Sequence, residues 1–127
     1  MADDDARVRD YVRTLLALDS SVQVVGEAAD GEGVLRLVEA LDPDLLLVDV
    51  VMPGLNGIGA TRRALATSRR LKVLVFSLHS DKRMVAAALD AGASGYLLKD
   101  HLDEELFQAL GALGRGERYL STALGAT

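Results

Sequence analysis

Apolar residues recur along this chain with two alternating periods. Val8, Val12, Leu15 and Leu16 fall at helical spacing within residues 6–18, which predicts an amphipathic helix with one buried stripe. Residues 22–28 are short and β-branched, as a strand would be. Val34, Leu35, Val38 and Leu41 put one face of residues 32–41 inward, and Asp42-Pro43-Asp44 ends that helix, because the residue before a proline avoids the α region. Residues 45–50 hold an apolar run that closes on Asp49, the pattern of a parallel strand buried on both faces. An Ala- and Arg-rich helix is expected over about 58–68, and a second fully apolar strand over 73–76. Residues 81–91 read as a helix with Ser80 or Asp81 as N-cap and Gly92 as its stop. A short strand at 96–98 follows, then a helix over 103–113 with Leu106, Phe107, Leu110 and Leu113 inward. Such alternation builds βαβ units and an α/β domain whose parallel sheet is covered on both faces. There is no repeat, low-complexity tract or internal linker. One domain over residues 1–115 is expected, with 116–127 as a C-terminal tail or the start of a linker.

Composition narrows the class. At 127 residues the chain is one domain by size, and its 50% hydrophobic content is enough for a core. Having no cysteine excludes disulfides and thiolate metal sites and fits the cytoplasm. No apolar run reaches the length of a membrane span, and the acidic start Met1-Ala2-Asp3-Asp4-Asp5 is not a signal peptide. A net charge of −5 argues against DNA binding by this segment itself, since phosphate contacts need a basic face. An aromatic content of 4% argues against a stacking platform for single strands.

Four chemical signals fall at, or just after, the ends of strand-like segments: Asp3-Asp4, Asp49, Ser77 and Lys99. In a parallel sheet those ends share one edge, where open α/β sheets place their sites. Taken singly each has an ordinary explanation. Asp49 can start a turn, Ser77 can bond to backbone at a strand end, Lys99 can be a solvated charge, and Tyr96 can be a core ring. Asp5 is expected to cap the first helix, and His79, with no second ligand at metal spacing, to line a loop. Together the signals make a chemistry. Three carboxylates held close resist joint ionisation, and a divalent cation removes that penalty. Oxygen-only ligands without cysteine favour Mg²⁺ over zinc. A carboxylate beside Mg²⁺, with a hydroxyl and an ammonium nearby, is suited to accept a phosphoryl group.

Asp3-Asp4, Asp49 with its Met52-Pro53-Gly54-Leu55-Asn56-Gly57 turn, Ser77 and Gly95-Tyr96-Leu97-Leu98-Lys99-Asp100 resemble the receiver domain of two-component response regulators. The segments Val24-Val25-Gly26-Glu27-Ala28, Ser77-Leu78-His79 and Gly92-Ala93-Ser94-Gly95 are similar to the NarL/FixJ subfamily, and the likeness covers nearly the whole chain. It implies a flavodoxin-like doubly wound sheet of order 2-1-3-4-5. Asp49 would accept phosphate from the phosphohistidine of a sensor histidine kinase. Asp3, Asp4, Asp49 and the backbone carbonyl of Val51 would hold Mg²⁺. Ser77 and Lys99 would bind phosphoryl oxygens, and Tyr96 would be an aromatic switch that follows Ser77. The domain would switch an output, transcription through a C-terminal DNA-binding domain beyond this segment, and would not be an enzyme in the ordinary sense.

The chain departs from that pattern at its start. Receivers carry an apolar strand of about five residues before the acidic pair, whereas only Met1 and Ala2 precede Asp3. Each buried aliphatic side chain of that central strand would contribute roughly 1.5–3 kcal/mol, against a net stability of about 5–15 kcal/mol for a domain. Three readings are open: a start placed too late or a truncated chain, a strand supplied by another copy in a swapped dimer, or a closed-up sheet with Asp3 and Asp4 on a loose arm. Two functional alternatives stand beside transcriptional control. One is a stand-alone receiver acting as a relay or protein-interaction switch, as a monomer or homodimer. The other is a degenerate receiver without phosphotransfer.

Overall fold

The computed structural model describes residues 1–125. Three strands form the centre of a parallel sheet: β1 (Leu45–Asp49), β2 (Lys72–Ser77) and β3 (Gly95–Leu98). Leu47 pairs with Leu74 across β1 and β2, and Leu74 with Gly95 across β2 and β3. A two-residue strand, β4 (Tyr119–Leu120), continues the sheet beyond β3 in the order β1-β2-β3-β4. Helices α1 (Ala6–Leu16), α2 (Gly31–Leu41), α3 (Gly57–Thr67), α4 (Lys82–Asp90) and α5 (Leu102–Gly114) connect and flank the strands, and α6 (Thr122–Gly125) is a single turn. No helix among the described residues is long and apolar enough to cross a membrane.

The two-residue period of a strand divides the core in two. On one face Leu47, Leu74, Phe76 and Leu97 pack with Val12 and Leu16 of α1 and Leu106 and Leu113 of α5. On the other, Val48, Val73, Val75 and Tyr96 pack with Val34 and Val38 of α2, Ala60 and Ala64 of α3 and Ala88 of α4. This is why β1 and β2 read as unbroken apolar runs. The expected caps are present. Asp5 accepts the Arg7 N–H and starts α1, and Asp81 accepts the Arg83 N–H and starts α4. α2 ends at Asp42, whose backbone is left-handed (φ 45°), directly before Pro43.

Leu41 and Phe107, expected to face inward, are exposed at the margins of their helical stripes, and two further expectations need correction. Residues 22–28 do not form a strand; only Ala28 makes a bridge, and its partner is Ala2. Ala2 also bridges Val48, in parallel on both sides. The 2-1-3 part of the implied strand order therefore survives as a line of single contacts, Ala28, Ala2, Val48. Residues 22–26 form no ladder among the described residues; the Gly26 carbonyl accepts from the Met1 ammonium at 3.1 Å. The acidic pair is nevertheless not on a loose arm: Asp3 is fully buried. The second correction concerns the C-terminal stretch expected as a tail. Tyr119 and Leu120 pair with Gly95 and Tyr96, and Ser121 is fully buried. A two-residue strand leaves no periodicity to read. The last two residues of that stretch lie outside the described residues.

Candidate functional site

The C-terminal ends of β1, β2 and β3 and the segment after Ala2 converge on one cluster of charge. Asp49, the last residue of β1, is 5% exposed. Asp3 is set beside it by the bridge: the Asp49 N–H donates to the Ala2 carbonyl (2.9 Å) and the Asp3 N–H to the Ala28 carbonyl (3.1 Å). Asp4 is exposed, and carboxylate oxygens of Asp3, Asp4 and Asp49 lie within 4.8 Å of one another. Lys99 starts the 3-10 turn after β3 and reaches in. Its ammonium lies 2.6 Å from Asp3 Oδ2 and 3.1 Å from Asp49 Oδ2, 5.0 Å above the centre of the Phe76 ring. The other Asp3 oxygen accepts the Asp5 N–H at 2.8 Å, and Asp49 Oδ1 accepts the Val51 N–H at a long 3.4 Å.

The turn after Asp49 explains the glycine that opens α3. A Cβ at Gly57 would stand 1.9 Å from the Asp49 carbonyl oxygen, so no other residue lets the chain turn back this tightly. The Gly57 N–H donates to the Val50 carbonyl, and Asn56 caps α3 by accepting the Gly59 N–H at 2.8 Å.

Electrostatically the cluster is acidic, with one ammonium facing three carboxylates. Burial pushes the Asp49 carboxyl up; Lys99 opposes this and Asp3 adds to it. Burial works against the charge on Lys99, but its bonds to Asp3 and Asp49 outweigh that and hold its pKa above the ordinary value. The donor set fits a hard divalent cation: every ligand atom is oxygen, two of the carboxylates are fixed by main-chain bonds, and oxygens at about 2.1 Å from such an ion stand roughly 3–4 Å apart.

Ser77, at the end of β2, is fully buried, and its Oγ accepts the His79 N–H at 3.0 Å. Tyr96 is also fully buried, with its hydroxyl donating to the His79 carbonyl at 2.8 Å. The aromatic ring is thus inward, and the backbone of His79 is clamped from both sides. Asp3, Asp4, Asp49, Val51, Ser77 and Lys99 all line one open cavity of about 700 Å³. Tyr96 stands behind it. Sequence reasoning did not anticipate Phe76 beneath the Lys99 ammonium, the Gly57 approach, or the role of the His79 backbone. Phe76 immediately before Ser77 was the available signal for the first; the other two depend on backbone path.

Comparisons with known proteins show the family and the fold. Residues 1–111 match the family described as response regulator receiver domain. The chain is 41% identical over 124 residues to the nitrate/nitrite response regulator protein NarL of Escherichia coli (strain K12), covering 98% of this chain and 57% of that protein. It is 39% identical over 118 residues to the transcriptional regulatory protein DegU of Brevibacillus brevis, covering 93% of this chain and 50% of DegU. Among solved structures it resembles the isolated REC domain of RcsB from Salmonella enterica serovar Typhimurium, determined in the presence of the phosphomimetic BeF₃⁻. That match has a TM-score of 0.91 at 27% identity, over 98% of this chain and 93% of the other. The chain spans little more than half the length of the curated relatives it matches.

Proposed function

Since the chain belongs to the response regulator receiver family, we propose that Asp49 is its phosphoacceptor, that the donor is the phosphohistidine of a sensor histidine kinase, and that transfer requires Mg²⁺. The observation that carries this reading is the Lys99 ammonium held between Asp3 and Asp49 at 2.6 and 3.1 Å.

The transfer forms a bond between an Asp49 carboxylate oxygen and phosphorus and breaks the phosphorus–nitrogen bond of the donor. The imidazole leaves with the electron pair and takes up a proton. Asp3, Asp4, Asp49 and the Val51 carbonyl would hold the metal, which when bound offsets negative charge on the phosphoryl oxygens. Lys99 exchanges part of its bonding to Asp3 for a phosphoryl oxygen and keeps the buried product charge paired. The Ser77 hydroxyl, now an acceptor for the His79 N–H, would donate its own hydrogen to a second phosphoryl oxygen. Any movement of Ser77 toward that oxygen pulls on His79, which Tyr96 also holds.

The output we assign is control of transcription through a DNA-binding segment outside this chain, in keeping with DegU being a transcriptional regulatory protein. Partners are then the sensor kinase and, through the whole protein, DNA.

Intact mass after incubation with acetyl phosphate, with and without Mg²⁺ and beside Asp49→Asn, tests the chemistry. A single phosphoryl addition that needs both Mg²⁺ and Asp49 is expected. Folded protein that neither gains this mass nor binds beryllofluoride would overturn the proposal in favour of a receiver fold without phosphotransfer.

A further inference from the structure

Asp3 is tied to α1 as well as to the sheet. The Asp5 N–H donates to Asp3 Oδ1 (2.8 Å), and Arg9 Nη1 donates to the Asp3 carbonyl (2.5 Å). The Arg9 N–H closes the first turn of α1 onto the Asp5 carbonyl (3.1 Å). Helical side chains lean toward the N-terminus of their helix, so an arginine placed here covers the acidic segment that precedes α1. The rest of its guanidinium faces Glu27. Arg9 Nε stands 3.5 Å from Glu27 Oε1, and Arg13, one turn further along α1, donates to both Glu27 oxygens at 2.7 and 3.1 Å. The bond from Arg13 and the charges of Arg13 and Arg9 keep the Glu27 carboxyl below the ordinary carboxylate range against the effect of partial burial. Glu27 is therefore charged at neutral pH.

The bond from Arg9 falls on a particular group. The Asp3 carbonyl belongs to the peptide that joins Asp3 to Asp4, two of the three carboxylates that lie within 4.8 Å of one another. Consecutive side chains of an extended chain point to opposite sides, so both can serve one ion only if the peptide between them is turned. Asp3 is fixed independently, by its N–H on the Ala28 carbonyl and by its side-chain bonds to the Asp5 N–H and Lys99. Asp4 is exposed and makes no hydrogen bond or ion pair of its own among the described residues. Its direction follows from the peptide before it, and Arg9 holds that peptide. A planar guanidinium can donate to a carbonyl with one nitrogen while another faces a carboxylate, which the point charge of a lysine does not reproduce.

We propose that Arg9 is a positioning residue for the divalent cation: it holds the Asp3–Asp4 peptide at the angle that lets both carboxylates reach one ion, while Glu27 steadies Arg9 and offsets the charge that would otherwise repel that ion. Neither residue lines the cavity over Asp49, so both act through Asp3 and Asp4. The role rests on the cluster being a metal site. Two effects of Arg9 have opposite signs. As a positive charge near a cation it lowers affinity; as the holder of the peptide it raises affinity. Glu27 cancels most of the first effect, whereas groups that orient metal ligands typically contribute about 10–100-fold in affinity. Positioning therefore outweighs repulsion.

The test is a titration of Mg²⁺ into the isotope-labelled full chain, followed by the NMR amide shifts of Asp4, Val51 and Lys99, for the parent, Arg9→Met and Arg70→Met. Arg70 clamps the Asp42 carbonyl at 2.7 Å beyond the opposite end of β1, and controls for the loss of an arginine–carbonyl bond as such. Arg9→Met is expected to bind Mg²⁺ at least about tenfold more weakly than the parent, and to shift the Asp4 amide before any metal is added. Arg70→Met should bind as the parent does. Arg9→Met that binds as tightly as the parent, or more tightly, would overturn the proposal, because Arg9 would then act as a charge alone. Equal weakening in Arg70→Met would also overturn it, as a general effect of lost stability. A parent that binds no Mg²⁺ would sink the metal-site reading and this role with it, whereas binding by the parent without loss in Arg9→Met sinks this role alone. Should Arg9→Met not fold, Arg9→Gln, neutral and polar, is read by the same criteria. Failure of both to fold would make Arg9 a residue of the fold and overturn its role at the site.

Discussion

Asp49 and Lys99 carry opposite consequences for stability. Burial raises the Asp49 carboxyl, only partly offset by Lys99. A carboxyl whose folded pKa exceeds its unfolded value opposes folding. That penalty is absent below the unfolded pKa, about 3.9 for Asp, and is fully present once the pH passes the folded value. Asp49→Asn should therefore melt higher than the parent near neutral pH, by about 3 °C, and the gain should fade as the pH is lowered to about 4; melting curves of both proteins across this range check it. Lys99 is raised by its partners, so its contribution is fully present below the unfolded lysine pKa and is lost as alkali passes the folded one. Lys99→Met leaves Asp3 and Asp49 buried without a cation, a loss of about 3–5 kcal/mol for breaking a buried pair. If the cluster is a cation site, millimolar Mg²⁺ should restore more stability to Lys99→Met than it adds to the parent, read by urea unfolding with and without the metal. Equal gains in the two proteins would argue against metal binding there. Asp49, Ser77 and Lys99 were legible as candidate site residues because each closes or follows an apolar run, so their place at the sheet edge follows from strand direction. The Lys99–Asp3 pair was not, since 96 residues separate the partners and only the folded sheet brings them together.

At the level of elements, the C-terminal segment is held by a buried carboxylate. Glu105 of α5, 4% exposed, accepts from the Tyr119 hydroxyl, the Ser121 hydroxyl (3.1 Å) and the Thr122 N–H (3.0 Å). Ser121 in turn accepts the buried Leu98 N–H at 2.9 Å. Burial alone would raise the Glu105 carboxyl, but these three donors outweigh it and lower it. Hydrogen bonds to a charged group are worth about 1.5–3 kcal/mol each, and orphaning the Leu98 N–H costs about 1–3 kcal/mol. Ser121→Ala should accordingly destabilise by about 2 kcal/mol in urea unfolding and release amide exchange at Tyr119 and Leu120. Retained protection there would show that β4 is held by its ladder alone. Helices were legible almost throughout because five of them carry a continuous apolar stripe or a recognisable cap. β4 was not, and residues 22–28 were over-read. A β-branched run becomes a strand only when a neighbour supplies its hydrogen bonds, and among the described residues only Ala28 has a bridge partner, at Ala2.

Across the whole molecule, the site and the C-terminal strand share β3. The Ser121 N–H donates to the Tyr96 carbonyl and its hydroxyl accepts from Leu98, the residue before Lys99, while the other end of the network runs from Tyr96 through His79 to Ser77. A ligand on Asp49 that repositions Lys99 and Ser77 therefore acts on the 78–80 loop and on β4 through direct bonds, which is what a population shift between two arrangements requires. Beryllofluoride with Mg²⁺ should change amide-exchange rates at His79 and Ser121 in the parent and in neither position of Asp49→Asn. Unchanged rates in the parent, with beryllofluoride shown to be bound, would place the output elsewhere.

The amino-acid sequence by itself determined the α/β alternation, the two fully buried strands that end in Asp49 and Ser77, and the identity of the acidic, hydroxyl and ammonium groups, because periodicity and strand polarity are local properties of the chain. The resemblance to receiver domains implied an apolar strand before the acidic pair, where only Met1 and Ala2 precede Asp3. Only the tertiary structure decided that Ala2 keeps that strand's place with a single bridge on each side, that Asp3 is buried and tied to Lys99, and that Tyr119 to Ser121 return to the sheet under Glu105. Each of these depends on hydrogen bonds between residues far apart in the chain, and such partners are chosen by where the fold brings the backbone.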